Sequence, residues 1–407
     1  MLWDQNHHFS LPPPILRLLE VLETNGFEAV VVGGCVRDGL LGLKPKDCDL
    51  ATNATPEELA SLLKAHKIPT IPLGLAFGTL GARFGKRVFE ITTYREESGY
   101  VNHRHPQVRF NATLETDLKR RDFTINALAY HPTKGLLDLH GGVKDLRLKR
   151  LRFVGVAIDR VFEDALRILR ALRFASVLGF KLEPLSAQAV LKHAPLLQHI
   201  SKERIFAELC KILMGAHAGA VCVAYASVLE CALNTPLKPT LLAPLSQTPL
   251  NLTTRFLALL AASKDPLNAL AMLKPPKKLL KNIEKLLPYT RQSPPTCKIW
   301  LKQQMQTLSL SQVRAWLGWL KAYDRDQWQN LHAHFKRIGA QKEVYTLSFL
   351  AIKGETLKGL GLHREQIGAC LQACLCAVVQ ERLENNAPTL LEFAKVWAKN
   401  LRENALK

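Results

Sequence analysis

Apolar positions follow two different spacings along this chain, and the change falls near residue 151. Before it, short apolar runs stand between turn residues. Ile15 to Leu22 has helical spacing and closes at Asn25-Gly26. Val30 to Val32 is a β-branched run bounded by glycine, the pattern of a buried strand. Cys35 to Leu41 reads as a short helix that Gly42 ends. Thr55-Pro56-Glu57-Glu58 opens another, with Thr55 as N-cap, Pro56 at the first position and acids against the helix dipole. Gly78 to Phe84 and Arg87 to Thr93 predict a hairpin turning at Gly85-Lys86. The polar stretch Tyr94 to Arg109 predicts a long mobile loop carrying Arg95, His103, Arg104 and His105. Asp138 to Asp145, with Gly141-Gly142, predicts a turn that ends the sheet. Beyond Leu151 no strand-rich run appears. The pattern predicts an α+β N-terminal domain, a mixed sheet with helices, followed by an all-α half.

A chain of 407 residues divides into two or more domains. Its 47% hydrophobic content is ordinary for a folded protein. The net charge of +20 is not, and it favours a polyanionic partner, nucleic acid first. The nine cysteines form no Cys-x-x-Cys pair, and Cys370, Cys374 and Cys376 cluster without a convincing histidine partner. All nine are expected as reduced thiols in a cytoplasmic protein. Ile212 to Leu229 carries no formal charge, yet His217, Ser227 and its alanines predict a buried helix pair, so no membrane partner is expected. Asp4, two histidines and Pro12-Pro13-Pro14 make the N-terminus unlike a signal peptide.

Three stretches carry chemistry. In the first, Gly33-Gly34 opens the helix that follows the Val30–Val32 run. A side chain there would block a ligand's approach, and free N–H groups at the positive helix end suit a phosphate. Arg37 on the first turn adds a bidentate fork. Asp47 and Asp49 follow. Two apart on a strand, they share a face and can hold divalent cations roughly 3.5–4 Å apart, the two-metal spacing of phosphoryl transfer. An Asp-x-Asp alone mostly marks a solvated turn. After a glycine pair and a short helix, it sets a metal-binding edge beside an anion cradle. Glu90, a charge within an apolar strand, is the candidate third carboxylate.

The second stretch, Leu118 to Tyr130, anchors through Phe123, Ile125, Leu128 and Ala129 and presents Arg121, Asp122 and Asn126. An arginine there can take a triphosphate, and a carboxylate or amide a ribose hydroxyl. The third, Phe162 to Ala175, reads as one strong helix with Ala165, Ile168, Leu169 and Leu172 on its apolar face. Arg167, Arg170 and Arg173 form a stripe on the opposite side, with Asp164 one turn before Arg167. The stripe holds no lysine, and arginine is favoured where a planar fork meets a flat partner. Asp164 with Arg167 suggests a base reader. A carboxylate accepts from the exocyclic amino group of cytosine or adenine, and a guanidinium donates to the adjacent ring nitrogen. Uracil and guanine reverse that pattern, so side chains would stand in for a template.

Gly33-Gly34-x-Val36-Arg37-Asp38 with Asp47-x-Asp49, then Arg120 to Ala127, then Glu163-Asp164-x-x-Arg167, resemble the motifs of the class II tRNA nucleotidyltransferase and bacterial poly(A) polymerase family, whose head is polymerase-β-like. The resemblance covers the first half of the chain closely. Ile200 to Ile205 with Glu208-Leu209 resembles the family's fifth motif, which braces the base-reading helix. It implies that Asp47 and Asp49 are catalytic and bind magnesium. It implies that Gly34, Arg37 and Arg121 hold the triphosphate, Asp122 the ribose, and Asp164 with Arg167 the base, while Arg170 and Arg173 line the nucleotide pocket. It further implies a nucleotidyltransferase head at 1–150, a helical neck at 151–215, a body at 216–330 and a tail at 331–407, the last two binding tRNA. Leu139-His140 departs from the family, which commonly has a proline or aromatic there.

In the second half, Gly354-x-x-Leu-x-x-Leu-Gly-Leu, Ile367-Gly368 and Leu390-Leu391 are similar to the tail of the CCA-adding branch. Lys274 to Lys285 is a lysine-rich amphipathic segment suited to phosphates or to solvent, and His332-x-His334 is only superficially a metal pair. The activity implied is template-independent addition of CCA to the 3′ end of tRNA from CTP and ATP. The alternatives are a poly(A) polymerase or a split enzyme that adds only CC or only A. The full length of the Tyr94–Arg109 stretch argues against a CC-only form.

Overall fold

The structure, a computed structural model, describes residues 3–45, 47–101 and 105–405, with side chains except at 100, 101, 105, 106 and 403–405. It comprises two compact units, Met1–Leu237 with Met272–Lys274, and Lys238–Ala271 with Pro275–Lys407.

The first unit opens with helix α1 (Pro13–Thr24), which buries Ile15, Leu18, Leu19, Val21 and Leu22 and is capped by Asn25. Strand β1 (Ala29–Val32), helix α2 (Gly34–Leu40), strand β2 (Asp49–Thr52) and helix α3 (Pro56–Ala65) follow. The capping box read at Thr55 and Glu58 is present. Then come β3 (Thr70–Gly74), the hairpin β4 (Thr79–Phe84) and β5 (Arg87–Thr93), a second hairpin β6 (Glu96–Val101) and β7 (His105–Arg109), and α4 (Leu114–Lys119). Strands β8 (Leu128–His131) and β9 (Gly135–Asp138) complete the main sheet, whose order is β3-β4-β5-β2-β1-β8-β9. It is a mixed sheet: β2 and β5 run parallel, and the other neighbours antiparallel. All four residues of β1 are buried. Each buried valine contributes roughly 1.5–3 kcal/mol, which is why so short a run holds its place.

Asp138 does more than end the sheet. Its carboxylate accepts from the backbone N–H groups of Gly142 and Val143, at 2.8 and 2.9 Å, and so starts α5 (Gly142–Arg147). Beyond it the chain is helical apart from a two-residue strand pair, β10 (Arg150–Leu151) and β11 (Lys181–Leu182). Four helices matter here: α6 (Ala157–Glu163), α7 (Leu166–Leu178), α8 (Pro184–Lys192) and α9 (Lys202–Leu213). The Ile212–Leu229 run resolves into the end of α9 and the short helices Ala218–Ala224 and Ala226–Leu233. No described helix is long and apolar enough to cross a membrane.

Two expectations are corrected. The Tyr94–Arg109 stretch is mostly the β6–β7 hairpin, paired from Glu96 with Arg109 to Val101 with His105. The hairpin stands outside the main sheet, so no apolar alternation reveals it. His103 and Arg104 lie outside the described residues, as does the side chain of His105. The Phe162–Ala175 stretch is two helices, broken at Asp164 (φ −138°, ψ 102°). Asp164 Oδ1 accepts from the backbone N–H of Leu166 at 3.0 Å. An aspartate competes for exposed backbone donors in this way, and apolar spacing carries no trace of it.

Among the described residues, the named elements of the second unit are all helices. Trp316 is fully buried against Tyr289 and Trp300, with ring centroids 5.5 and 5.8 Å away. A second cluster gathers Cys370, Cys374, Leu375 and Leu390 between helices Arg364–Val379 and Ala387–Ala405. Lys277–Leu286 is helical with Leu279, Ile283 and Leu286 buried, as its spacing predicts. His332 stacks on Trp328 at 4.9 Å. All nine cysteines are free thiols.

Candidate active site

The ends of β1 and β2 define the site. Val32 pairs with Asp49 across the antiparallel register, so Asp49 lies beside the Gly33-Gly34 turn that begins α2. Gly33 adopts φ 73°, ψ −129°, and a Cβ there would come within 3.2 Å of Arg121 Nη1. Only glycine takes that conformation at little cost. The expectation that Asp47 and Asp49 share a strand is corrected: β2 begins at Asp49, and Asp47 sits exposed just before it. Cys48 between them is buried, so side chains still alternate. Asp47 and Asp49 line one cavity of about 650 Å³. Leu50 pairs with Ile91 in the parallel register of β2 and β5, which puts Asp49 and Glu90 on the same side, and Glu90 lines the same cavity.

Burial pushes the Asp49 carboxyl up to about 6, the charge of Glu90 adds to this, Arg121 opposes it, and Asp47 adds again. Among the described residues, no hydrogen bond or ion pair satisfies Asp47, Asp49 or Glu90. Nor do three His, Cys, Asp or Glu side chains converge closely enough there to hold a metal by themselves. A hard divalent cation fits such an edge, because one or two carboxylates can hold it while water and substrate phosphates complete its shell.

The facing wall is arginine. Arg37 donates from Nε to Asp38 Oδ1 at 2.8 Å and from Nη1 to Asn126 Oδ1 at 2.8 Å. Arg121 Nη2 meets Asp117 Oδ2 at 2.9 Å, and Arg120 holds the other oxygen. Burial favours the acid form of Asp117, but the two arginines outweigh it and keep the carboxyl below its ordinary range. Asp122 is also buried. Its Oδ2 accepts from Arg170 Nε and Nη2 at 2.8 and 2.5 Å, and its Oδ1 from the Phe123 N–H and Asn126 Nδ2 at 2.8 and 3.1 Å. Burial would raise this carboxyl, yet Arg170 and Asn126 bring it down to about 2.

The arginine stripe of α7 is cavity wall, not solvated surface. Arg167 is 7% exposed. It donates from Nη1 to Glu163 Oε2 at 2.6 Å and the Arg160 carbonyl at 3.1 Å, and from Nη2 to the Arg120 carbonyl at 2.8 Å. Asp164 Oδ2 meets Arg204 Nη2 at 3.3 Å, and Arg173 Nη1 meets Glu208 Oε1 at 3.1 Å. Helix α9, which carries Arg204 and Glu208, thus ties down both ends of the stripe.

Gly34, Arg37, Asp47, Asp49, Arg121, Asp122, Asp164, Arg167, Arg170 and Arg173 all line the one cavity. Sequence reasoning missed Phe174, whose helical spacing marks it as core, and the roles of Glu97 and Arg120. Arg120 Nη1 reaches Glu97 Oε1 at 3.2 Å and so ties the β6–β7 hairpin to the wall. No local pattern announces a pairing 23 residues apart.

The poly A polymerase head domain family matches residues 29–152, and the family described as the probable RNA and SrmB-binding site of polymerase A matches residues 179–222. A CCA-adding enzyme of Latilactobacillus sakei is 46% identical over 201 residues, 49% of this chain and 50% of that protein. One from Lactobacillus delbrueckii is 48% identical over 199 residues, 49% of each. These matches span about half the length of the curated relatives. Over the whole chain, the Bacillus stearothermophilus CCA-adding enzyme in complex with CTP superposes with a TM-score of 0.79 at 28% identity, covering 97% of this chain and 100% of that one. The Thermotoga maritima CCA-adding enzyme complexed with tRNA gives a TM-score of 0.72 at 21% identity, covering 94% and 95%, which speaks to the fold alone. Fold and cavity together define a nucleotidyltransferase head. In its first half the chain is similar to poly A polymerases and CCA-adding enzymes, the family whose motifs its sequence resembles.

Proposed function

We propose that the protein adds CCA to the 3′ end of tRNA, taking CTP and ATP in turn and releasing pyrophosphate. The observation that carries this is the single cavity in which the acidic edge, the arginine wall and the Asp164–Arg167 pair meet. Asp47 and Asp49 would hold magnesium, which when bound activates the attacking 3′-hydroxyl and neutralises phosphate charge. The Gly34 N–H, Arg37 and Arg121 take the triphosphate. Asp122 takes the ribose; its acceptor positions are filled by Arg170, Asn126 and the Phe123 N–H, so a hydroxyl enters by displacing one of them. Asp164 and Arg167 read the base, Asp164 exchanging Arg204 for the amino group and Arg167 exchanging a backbone carbonyl for the ring nitrogen.

The chain then divides into a head at 1–150, a neck at 151–215, a body at 216–330 and a tail at 331–407. The charge distribution supports tRNA binding by the last two. Lys and Arg outnumber Asp and Glu 24 to 11 in the second unit, against 31 to 24 in the first. Such an excess attracts a phosphate backbone.

The test supplies the purified protein with magnesium and a tRNA transcript ending at the discriminator base. CTP alone should add two residues, and CTP with ATP three and no more. Long adenosine runs on unstructured RNA without CTP would replace this reading with a poly(A) polymerase. A stop after CC, or a requirement for a pre-made CC end, would replace it with a split enzyme.

A further inference from the structure

Three guanidinium groups of the wall converge on one aromatic ring. The Cζ atoms of Arg37, Arg170 and Arg173 lie 5.3, 5.8 and 4.4 Å from the centre of the Phe174 ring. Arg37 comes from α2, the others from α7. The ring is 9% exposed, lines the cavity, and meets Phe123 edge-on at 5.5 Å. Each of the three arginines has a carboxylate partner: Asp38 takes Nε and Nη2 of Arg37, Asp122 two nitrogens of Arg170, and Glu208 one of Arg173. Arg170 Nη1 and Arg173 Nη2 remain without a partner among the described residues. Three cations gathered in one wall repel one another, and the negative face of an aromatic ring offsets part of that cost without consuming a single N–H donor.

We propose that Phe174 is a positioning residue for the anion site: its ring gathers Arg37, Arg170 and Arg173 in one wall of the cavity, where the unpartnered nitrogens of Arg170 and Arg173 take the polyphosphate of the incoming nucleotide. A further carboxylate in the same place would take the remaining donors and compete with the phosphate; an aliphatic side chain would fill the space without drawing the cations together. The inference rests on the function proposed above only in taking a polyphosphate as the anion.

The full-length protein provides the test, with inorganic tripolyphosphate as the probe and no base or RNA present. Calorimetry on wild type should show binding. Phe174→Leu should weaken it about tenfold, the loss of a desolvated cation–π contact, whereas Phe174→Tyr should bind as wild type does. Should the leucine variant fail to fold, a fluorinated phenylalanine at position 174 weakens the face of the ring at nearly constant volume and should weaken binding in the same direction. In nucleotide transfer, Phe174→Leu should raise KM for CTP and ATP alike and leave the ratios among the four nucleotides unchanged. Equal tripolyphosphate affinity in wild type and the leucine or fluorinated variant, at matched melting temperature, overturns the role of Phe174 and leaves the proposed activity standing. Wild-type protein that binds no tripolyphosphate overturns the anion reading of the wall itself.

Discussion

Asp49→Asn should make the metal-free protein more stable while abolishing transfer. Asp49 is a carboxylate that the fold holds at a cost. Its folded pKa of about 6 lies above the model-compound value of 3.8, through burial first and the charge of Glu90 next. A group shifted upward favours its neutral form in the folded state. Its contribution is therefore fully present below pH 3.8 and is lost as pH rises through 6. A tenfold change in proton affinity corresponds to ~1.4 kcal/mol. Ionising Asp49 at pH 8 with no cation bound thus costs up to about 3 kcal/mol, and water at the cavity mouth reduces this to about 1–3. Asparagine has nearly the same shape and carries no charge. In chelator at pH 8 the variant should melt about 3–10 °C above wild type, and the gap should narrow as pH falls below 6 and close only below about pH 3.8, where Asp49 is neutral in the folded and the unfolded chain alike. Added magnesium should raise the melting temperature of wild type more than that of the variant. A variant less stable than wild type at pH 8 in chelator, or a gap that does not change with pH, would refute the argument that this charge is kept for a cation.

Two further substitutions probe the neck. Arg167→Ala should relax discrimination of C and A from U and G by roughly 1–3 kcal/mol, read from separate incorporation of the four nucleotides; a uniform fall with unchanged ratios would make Arg167 a bracing residue instead. Gly215→Ala places a Cβ 2.0 Å from Ser176 Oγ, which donates to the Ile212 carbonyl at 2.6 Å where α7 meets the end of α9. Denaturant unfolding should show a loss of about 2–4 kcal/mol; a loss under about 0.5 would mean the crossing is loose enough to adjust.

Much of this protein is legible in one dimension, because its chemistry is short-range in sequence. Gly33-Gly34 and Asp47-x-Asp49 flank a single helix, so strand, cradle and acidic edge are written within about twenty residues, and their order alone pointed to the head domain that residues 29–152 match. The capping box of α3 and the hairpin of β4 and β5 are likewise local hydrogen-bond and turn signals. The base-reading role proposed for Asp164 and Arg167 also rests on residue type, since donors and acceptors belong to residue types and not to folds.

What only tertiary structure decided is which groups are already spoken for. Asp122 finds Arg170 48 residues away, Asp164 finds Arg204 40 away, and Arg167 reaches the Arg120 carbonyl 47 away. Helical spacing put the α7 arginines opposite the apolar face and left open whether solvent or protein lay beyond them. The answer came from the sheet domain closing over that face, which turned a charged stripe into a cavity wall. The same packing set the proton affinity of Asp49. An aspartate's charge is a property of its residue type, but the cost of carrying it depends on burial and on Glu90, which a parallel pairing between β2 and β5 brings alongside.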